Sequence, residues 1–391
     1  MRTLEKQPRP ATRRDAVRVG VSHRTDTTEA IDELLDKLHA DRASFTFVFF
    51  SPDHDARTIS RRLDTRVGPR GVGGTTAGEL SNLGFSHGTI SGISLHGEHV
   101  RVAADVIPNL DELSLLPLVH LPDEFARRLG HTKEDLDPDQ HTWMLLSDGL
   151  SGNEELLTPF FMQSAPETNL VGGSLGDESR QERVELVYHG RTYTNAAALL
   201  LLEYDGPFEI LHHNSLEFRD TQLEVTSVSR SGRVLDELDG RPAAEAYAEA
   251  IGLEPDALTP PIMASNPLGF PFRGRPFTCS IVDRLEGGRL RTGNAVHPGD
   301  TLRLLGSDDL VGSTRRYISQ ALDDFESDWG TPAQGAIYFN CVMRYIEARA
   351  GGETEELGRA LNQVPMAGFN TYGEQWDAIH TNHSLTGMLF G

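Results

Sequence analysis

The chain closes on Ala367-Gly-Phe-Asn-Thr-Tyr-Gly-Glu-Gln-Trp-Asp-Ala-Ile-His-Thr-Asn-His-Ser-Leu-Thr-Gly-Met-Leu-Phe-Gly391, and two earlier stretches echo it. Thr371-Tyr372-Gly373-Glu374 has counterparts in Thr76-Ala77-Gly78-Glu79 and Ser174-Leu175-Gly176-Asp177: a hydroxyl residue, a spacer, a glycine and an acid. An apolar, small-residue segment follows each. From Glu79 to Gly92 and from Glu374 to Gly387 the spacing is the same, 13 residues. Upstream of the three turns lie Phe45-Thr-Phe-Val-Phe-Phe-Ser51, Thr142-Trp-Met-Leu-Leu-Ser147 and Ala336-Ile-Tyr-Phe-Asn340, apolar runs of strand length that end in a small polar residue. The unit reads as strand, helix, glycine turn with an acid, strand. A unit of about 45 residues repeated at a regular period would make a solenoid. Here more than a hundred residues separate the second and third copies, so a facing arrangement with the turns converging on a shared pocket fits better. The fold class expected is mixed α/β, with these divergent repeats in two halves.

At 391 residues the chain has room for two or more domains, and 38% hydrophobic with 24% charged residues is an ordinary globular composition. No apolar run approaches the roughly 18 residues of a membrane helix, so no membrane insertion is expected. Residues 1–16 form a basic leader without the apolar segment of a secretory signal, and read as a loose tail. The net charge is −22, with Lys6, Lys37 and Lys133 as the only lysines. Such a surface repels phosphate backbones, so nucleic acid is excluded as a partner. The acidity fits salt adaptation, solubility or a docking face equally well. Two cysteines, Cys279 and Cys341, in apolar segments indicate a reducing, cytoplasmic setting.

Along the chain, Val17–Val21 is a short strand and 25–38 a capped amphipathic helix with Ile31, Leu34, Leu35 and Leu38 on its apolar face. The texture changes beyond Glu203, which places a boundary near residue 210 and divides the chain into halves 17–210 and 211–391. Residues 222–240 read as two alternating strands around a Ser-Gly turn. A helix after Pro242, strands at 277–282 and 301–305, and a helix from Leu310 to Phe325 lead to the third repeat.

The segments Val72-Gly-Gly-Thr-Thr-Ala-Gly-Glu79, Val234-Leu-Asp-Glu-Leu-Asp-Gly-Arg-Pro-Ala243, Tyr338-Phe-Asn-Cys-Val-Met-Arg344 and Gly368-Phe-Asn-Thr-Tyr-Gly-Glu374 resemble the FIST family of bacterial sensory domains, over nearly the whole chain from Val17. The resemblance implies FIST N-terminal and C-terminal domains, a small-molecule ligand such as an amino acid, and signal transduction without catalysis. A stand-alone subgroup resembles the Tyr-Gly-Glu-Gln-(aromatic) segment more closely. It is similar to haem-binding nitric oxide sensors that report to a separate histidine kinase or cyclic di-GMP enzyme, as in two-component systems. The function this resemblance implies is therefore haem-based nitric oxide sensing, with an amino-acid sensor without haem as the alternative, and a homo-oligomer is compatible with either. The likeness departs at Asn382-His383, where a neutral residue is expected in place of His383.

The turn residues Thr76, Gly78, Glu79, Ser174, Asp177, Tyr372, Gly373 and Glu374, with Asn340 at a strand end, are the candidate ligand-binding set. Turn amides and a carboxylate at strand ends suit the ammonium and carboxylate of an amino acid. The structural alternative is that glycine serves the turn and the acid caps a neighbour. If the ligand is haem, the candidate axial residues are His212, His213, His380 and His383, with Phe208, Phe218, Tyr372 and Trp376 near in sequence. His380 and His383 at helical spacing lack a third zinc ligand. Gly172-Gly-Ser-Leu-Gly176 matches a hydrolase nucleophile elbow, but an alternating strand follows where the elbow needs a helix. Cys341 reads as a pocket thiol or a buried structural residue.

Overall fold

The computed structural model of the chain describes residues 16–272 and 274–391. The expected leader, Ala16 apart, therefore lies outside the described residues. The apolar runs at 45–50, 141–148 and 335–341 become strands with every residue buried. Each opens a βαβ unit. Phe45–Phe50 leads through helix Ala56–Val67 to the parallel strand Gly71–Thr75. His141–Asp148 leads through Glu154–Ser164 to Asn169–Leu175, and Gly335–Cys341 leads through Val342–Ala350 and Thr354–Leu361 to Met366–Thr371. A closing strand, Ile90–Leu95, Ala196–Tyr204 or Ser384–Phe390, then pairs antiparallel with the opening strand. An outer strand from earlier in the chain, Val17–Ser22, Val100–Pro108 or Phe208–Asn214, pairs with the closing strand. The expected threefold repetition is present, and each unit is longer than its turn motif because it also carries this outer strand.

The units are not independent, because each gives its hairpin away. The hairpin of the first unit, Glu79–Ser81 with Gly84–Ser86, extends the sheet of the third along Met366–Thr371. That of the third, Glu374–Trp376 with Ile379–Thr381, extends the second along Asn169–Leu175. That of the second, Leu186–Tyr188 with Arg191–Tyr193, extends the first along Gly71–Thr75. The exchange closes a cycle of three six-stranded sheets. One core lies between them, drawing Phe47, Phe49, Leu146, Leu200, Phe339, Phe369 and Met388 from all three units. Phe369 packs against both Phe49 and Phe339, with ring centroids 4.8 and 5.5 Å apart. Truncating such a residue to alanine costs about 3–5 kcal/mol.

The interval before the third unit's opening strand is filled by a separate sheet. Its strands run in the order Arg275–Cys279, Leu268–Phe272, Thr301–Gly306, Glu217–Val228, Val234–Leu238, Arg289–Thr292, Ile281–Leu285. Helix Ala243–Ala250 packs into its own core through Tyr247, whose hydroxyl donates to Asn266 O at 2.7 Å. The helix after it, Leu310–Trp329, returns the chain to the third sheet. None of the described helices is long and apolar enough to cross a membrane.

Candidate functional site

The middle strands fix where the three turns sit. Gly73, Gly172 and Gly368 lie opposite Val48, Leu145 and Tyr338 of the opening strands. A Cβ at these glycines would stand 2.0, 2.0 and 1.9 Å from the partner's carbonyl oxygen, so no larger residue fits. Four residues on, Ala77, Gly176 and Tyr372 occupy one shared position and meet. A Cβ on Gly176 would be 3.1 Å from both Ala77 Cβ and Tyr372 Cε1. Backbone hydrogen bonds join the turns in a ring: Ala77 N to Asn370 O at 3.1 Å, Tyr372 N to Ser174 O at 3.0 Å, Gly176 N to Thr75 O at 3.2 Å. The turns do converge, and at the point of convergence they are bonded to one another.

Glu79 and Glu374 are fully buried and held alike. Thr76 Oγ1 donates to Glu79 Oε1 at 2.6 Å, and Thr89 donates to Oε2 through its amide and hydroxyl at 3.2 and 2.7 Å. Thr371 Oγ1 donates to Glu374 Oε1, and Ser384 donates to Oε2 through its amide and hydroxyl at 3.0 and 2.6 Å. Burial pushes both carboxyls up to about 7, against the pull of these hydrogen bonds. Each acid ties its hairpin to the start of the closing strand. Gly78 and Gly373 carry φ of 117° and 156° at the bend before it.

The middle unit differs, and its motif as read from sequence is one residue out of register. Glu79 and Glu374 pair with Phe369 and Gly173, each one residue past the shared glycine, and the corresponding pairing in the middle unit is Leu186 with Gly74. Leu175 stands at the place of Thr76 and Thr371. Ala196 stands at that of Thr89 and Ser384, since Leu199, Gly92 and Gly387 are opposite the same opening-strand position. The polar tie has become apolar. Residues 177–185 intervene where the other units have one glycine, which obscures the match. Asp177 anchors this extra loop, accepting from Tyr372 Oη at 2.5 Å and from the amides of Gln181, Glu182 and Arg183. Burial pushes its pKa up, but these bonds outweigh it and hold the carboxyl below its ordinary range. Ser174 Oγ accepts from Gln375 Nε2 at 2.9 Å, and the chain beyond it continues into the hairpin rather than a helix.

The four candidate histidines have different surroundings. His212 stacks on Trp376, ring centroids 4.2 Å apart and 4° from parallel, and His213 stacks on Tyr317 at 4.7 Å. His380 takes a hydrogen bond at Nδ1 from Gln375 Nε2 (3.1 Å) and places Nε2 3.3 Å from the buried Glu154. His383 is fully buried, with both ring nitrogens unpartnered among the described residues. Its φ of 56° matches Gly88 and Asn195 at the same place in the other units. Burial drives all four imidazoles down, His212 and His380 to about 4 and His213 and His383 to about 3, so each is neutral near pH 7. Asn340 is also interior, accepting from the buried Arg344 at 3.0 Å and donating to Asn370 at 2.9 Å. Cys341 is buried with its thiol pushed up.

What opens to solvent beside the turns is a cleft of about 550 Å³. Ala77 of the first turn, Glu178 and Ser179 of the extra loop, His87, and Pro260 and Pro261 of the inserted region all line it. Helix Val342–Ala350 supplies Val342, Tyr345, Ile346 and Arg349, a single face at helical spacing. His87 Nε2 is 2.9 Å from Tyr345 Oη, while Glu178 Oε1 accepts from Ser51 Oγ at 2.8 Å and lies 3.6 Å from His87 Nδ1. Glu178, Ser179 and Gln181 have φ of 55°, 65° and 53°, a run of left-handed non-glycine residues that is costly and concentrates at functional loops. Of the sequence candidates, none of the four histidines and neither Glu79 nor Glu374 lines this cleft. His87, Glu178, Tyr345 and Arg349 were not singled out from the sequence. The i, i+3, i+4, i+7 pattern from Val342 was the available signal, and the geometry of the loop was not.

The three hairpin-exchanging α/β units thus meet at their bonded turns, and the cleft opens beside that junction. Comparison with known families matches residues 44–241 to the FIST N domain and residues 243–377 to the FIST C domain. The chain belongs to the FIST family, whose domains are associated with sensory ligand binding and signalling. Comparison with curated proteins gave no match.

Proposed function

We propose that this chain is a sensor for a small zwitterion of the amino-acid class, bound in the 550 Å³ cleft beside the turns. The observation that carries the reading is the cleft's lining. Glu178 offers a carboxylate to an ammonium group, Arg349 a guanidinium to a carboxylate, and Pro260, Pro261, Val342 and Ile346 an apolar wall to a side chain. The lining comes from the first unit, the extra loop of the second, the inserted region and a helix of the third. A ligand there contacts parts whose relative placement it can bias, and a separate partner, a histidine kinase or a cyclic di-GMP enzyme, reads the bias. A thermal-shift screen of amino acids, followed by calorimetry, tests this. One saturable site is expected, weakened roughly tenfold or more in Arg349→Ala. Binding that is unchanged in Arg349→Ala would overturn it.

A second reading, haem with nitric oxide as the sensed gas, is favoured by one observation: His87 stands in the cleft beside an apolar wall and Arg349. The partly buried His212 and His213 and the buried His380 and His383 stand outside the cleft, which favours His87 for that role. Within the cleft, His87 and Arg349 would be the residues to hold the group, an imidazole for the iron and a guanidinium for its carboxylates. Haem would supply the iron that takes up a diatomic gas. A stoichiometric Soret band lost in His87→Ala would select this reading over the first. Its absence in the wild type would remove it.

A further inference from the structure

We propose that His131, His141 and Glu203 form a binding site for a zinc-type divalent cation, at the strand ends opposite the ligand cleft. His141 opens the first strand of the middle unit and is paired in register with Glu203 of the closing strand. His131 comes from the segment after helix Leu121–Arg128. Glu203 Oε2 is 3.2 Å from His131 Nε2 and 3.9 Å from His141 Nε2, and one ligand atom from each of the three lies within 4.8 Å of the others. A tetrahedral zinc with bonds of about 2.0–2.1 Å holds its ligand atoms roughly 3.3 Å apart, so the cluster needs only a small contraction. The two imidazoles already meet edge to face, ring centroids 5.0 Å apart.

A second observation points the same way. His141 is 2% exposed and its Nε2, directed at the cluster, makes no hydrogen bond among the described residues. On the other side of the ring, Nδ1 lies 3.0 Å from Asp137 N and 3.2 Å from Asp137 O. Backbone therefore serves either tautomer, and Nδ1–H donating to a carbonyl is the outer support that metal-bound histidines use. His131 and Glu203 are partly exposed, which leaves water for a fourth position. Arg101 is the competitor. Its guanidinium contacts both Glu203 and His131 Nε2 (3.2 Å) and also donates to Leu129 O at 2.7 Å, an anchor it keeps when Glu203 and His131 turn to a cation.

Calorimetry of the full chain with zinc, and absorption spectroscopy with cobalt(II), test the site. One ion per chain is expected, with a four-coordinate cobalt spectrum. Affinity is expected to fall at least roughly tenfold in His131→Ala and to rise in Arg101→Gln. His131 is partly exposed, so its replacement leaves the fold intact, and circular dichroism verifies that. Wild type and His131→Ala binding zinc alike, or no stoichiometric binding, would overturn the site.

Discussion

The first and third hairpins are tied down by a buried carboxylate, and the second by leucine. Thr76, Glu79 and Thr89 make the same bonds as Thr371, Glu374 and Ser384, while Leu175, Leu186 and Ala196 occupy those places in the middle unit. One architecture thus accepts two solutions to the same joint. A polar joint must be complete, because each buried donor left without its acceptor costs about 1–3 kcal/mol. An apolar joint needs only volume. The difference teaches that Glu79 and Glu374 hold the hairpins. The unit freed of the polar joint is the one that carries the extra loop, and with it Glu178 and Ser179 of the cleft.

The sharpest way to break this comparison is at Glu374. Glu374→Ala strands the hydroxyls of Thr371 and Ser384 and the Ser384 amide, and is expected to cost roughly 3–5 kcal/mol in denaturant unfolding. The triple change Thr371→Leu, Glu374→Leu, Ser384→Ala copies the middle unit and is expected to cost less than the single one. A triple variant less stable than Glu374→Ala would show that the two joints are not interchangeable.

The pH dependence sharpens it further. Glu79 and Glu374 have folded pKa values of about 7, raised above the ordinary 4.5. The folded state therefore binds the extra protons. Their contribution is fully present below 4.5 and is lost as pH rises through about 7. His383 acts in the opposite sense. Its folded pKa, lowered to about 3, gives stability present above 6.5 and lost as pH falls toward 3. Urea midpoints measured from about pH 5 to about pH 8 should fall less steeply toward alkaline pH in Glu374→Gln than in the wild type, by about 1.4 kcal/mol for each unit of pKa shift removed. An unchanged slope would contradict the buried-acid description.

Smaller effects separate the joint from the cleft. Glu178→Gln is expected to weaken amino-acid binding by roughly tenfold with no change in unfolding midpoint beyond about 0.5 kcal/mol. Ser174→Ala removes one hydrogen bond, with Gln375, and is expected to cost about 1 kcal/mol while leaving ligand affinity unchanged. Lost binding in Ser174→Ala would place the ligand inside the ring of turns rather than beside it.

Much of the architecture was legible because repetition amplifies weak signals. Three all-buried strands, two acid turns and the spacing from Glu79 to Gly92 and from Glu374 to Gly387 located the units. The middle turn was read one residue early because Ser174, Gly176 and Asp177 imitate the motif by residue type. Leu186 and Leu199 keep the 13-residue spacing but carry no polar mark. Hairpin exchange was not legible, since a strand's own pattern of side chains does not say which sheet it joins. The cleft was the least legible. It is assembled from His87, Glu178, Pro260 and Arg349, distant in sequence, and the left-handed backbone of Glu178, Ser179 and Gln181 has no glycine to announce it.

The most direct test of the cleft as the sensing site is amide hydrogen exchange across the whole chain, with and without a saturating amino acid found by the thermal screen. The account predicts slowed exchange in the loop 177–185 and in helix Val342–Ala350, with the strands of the three sheets unchanged. Protection confined to other segments, with 177–185 exchanging as fast as before, would contradict it.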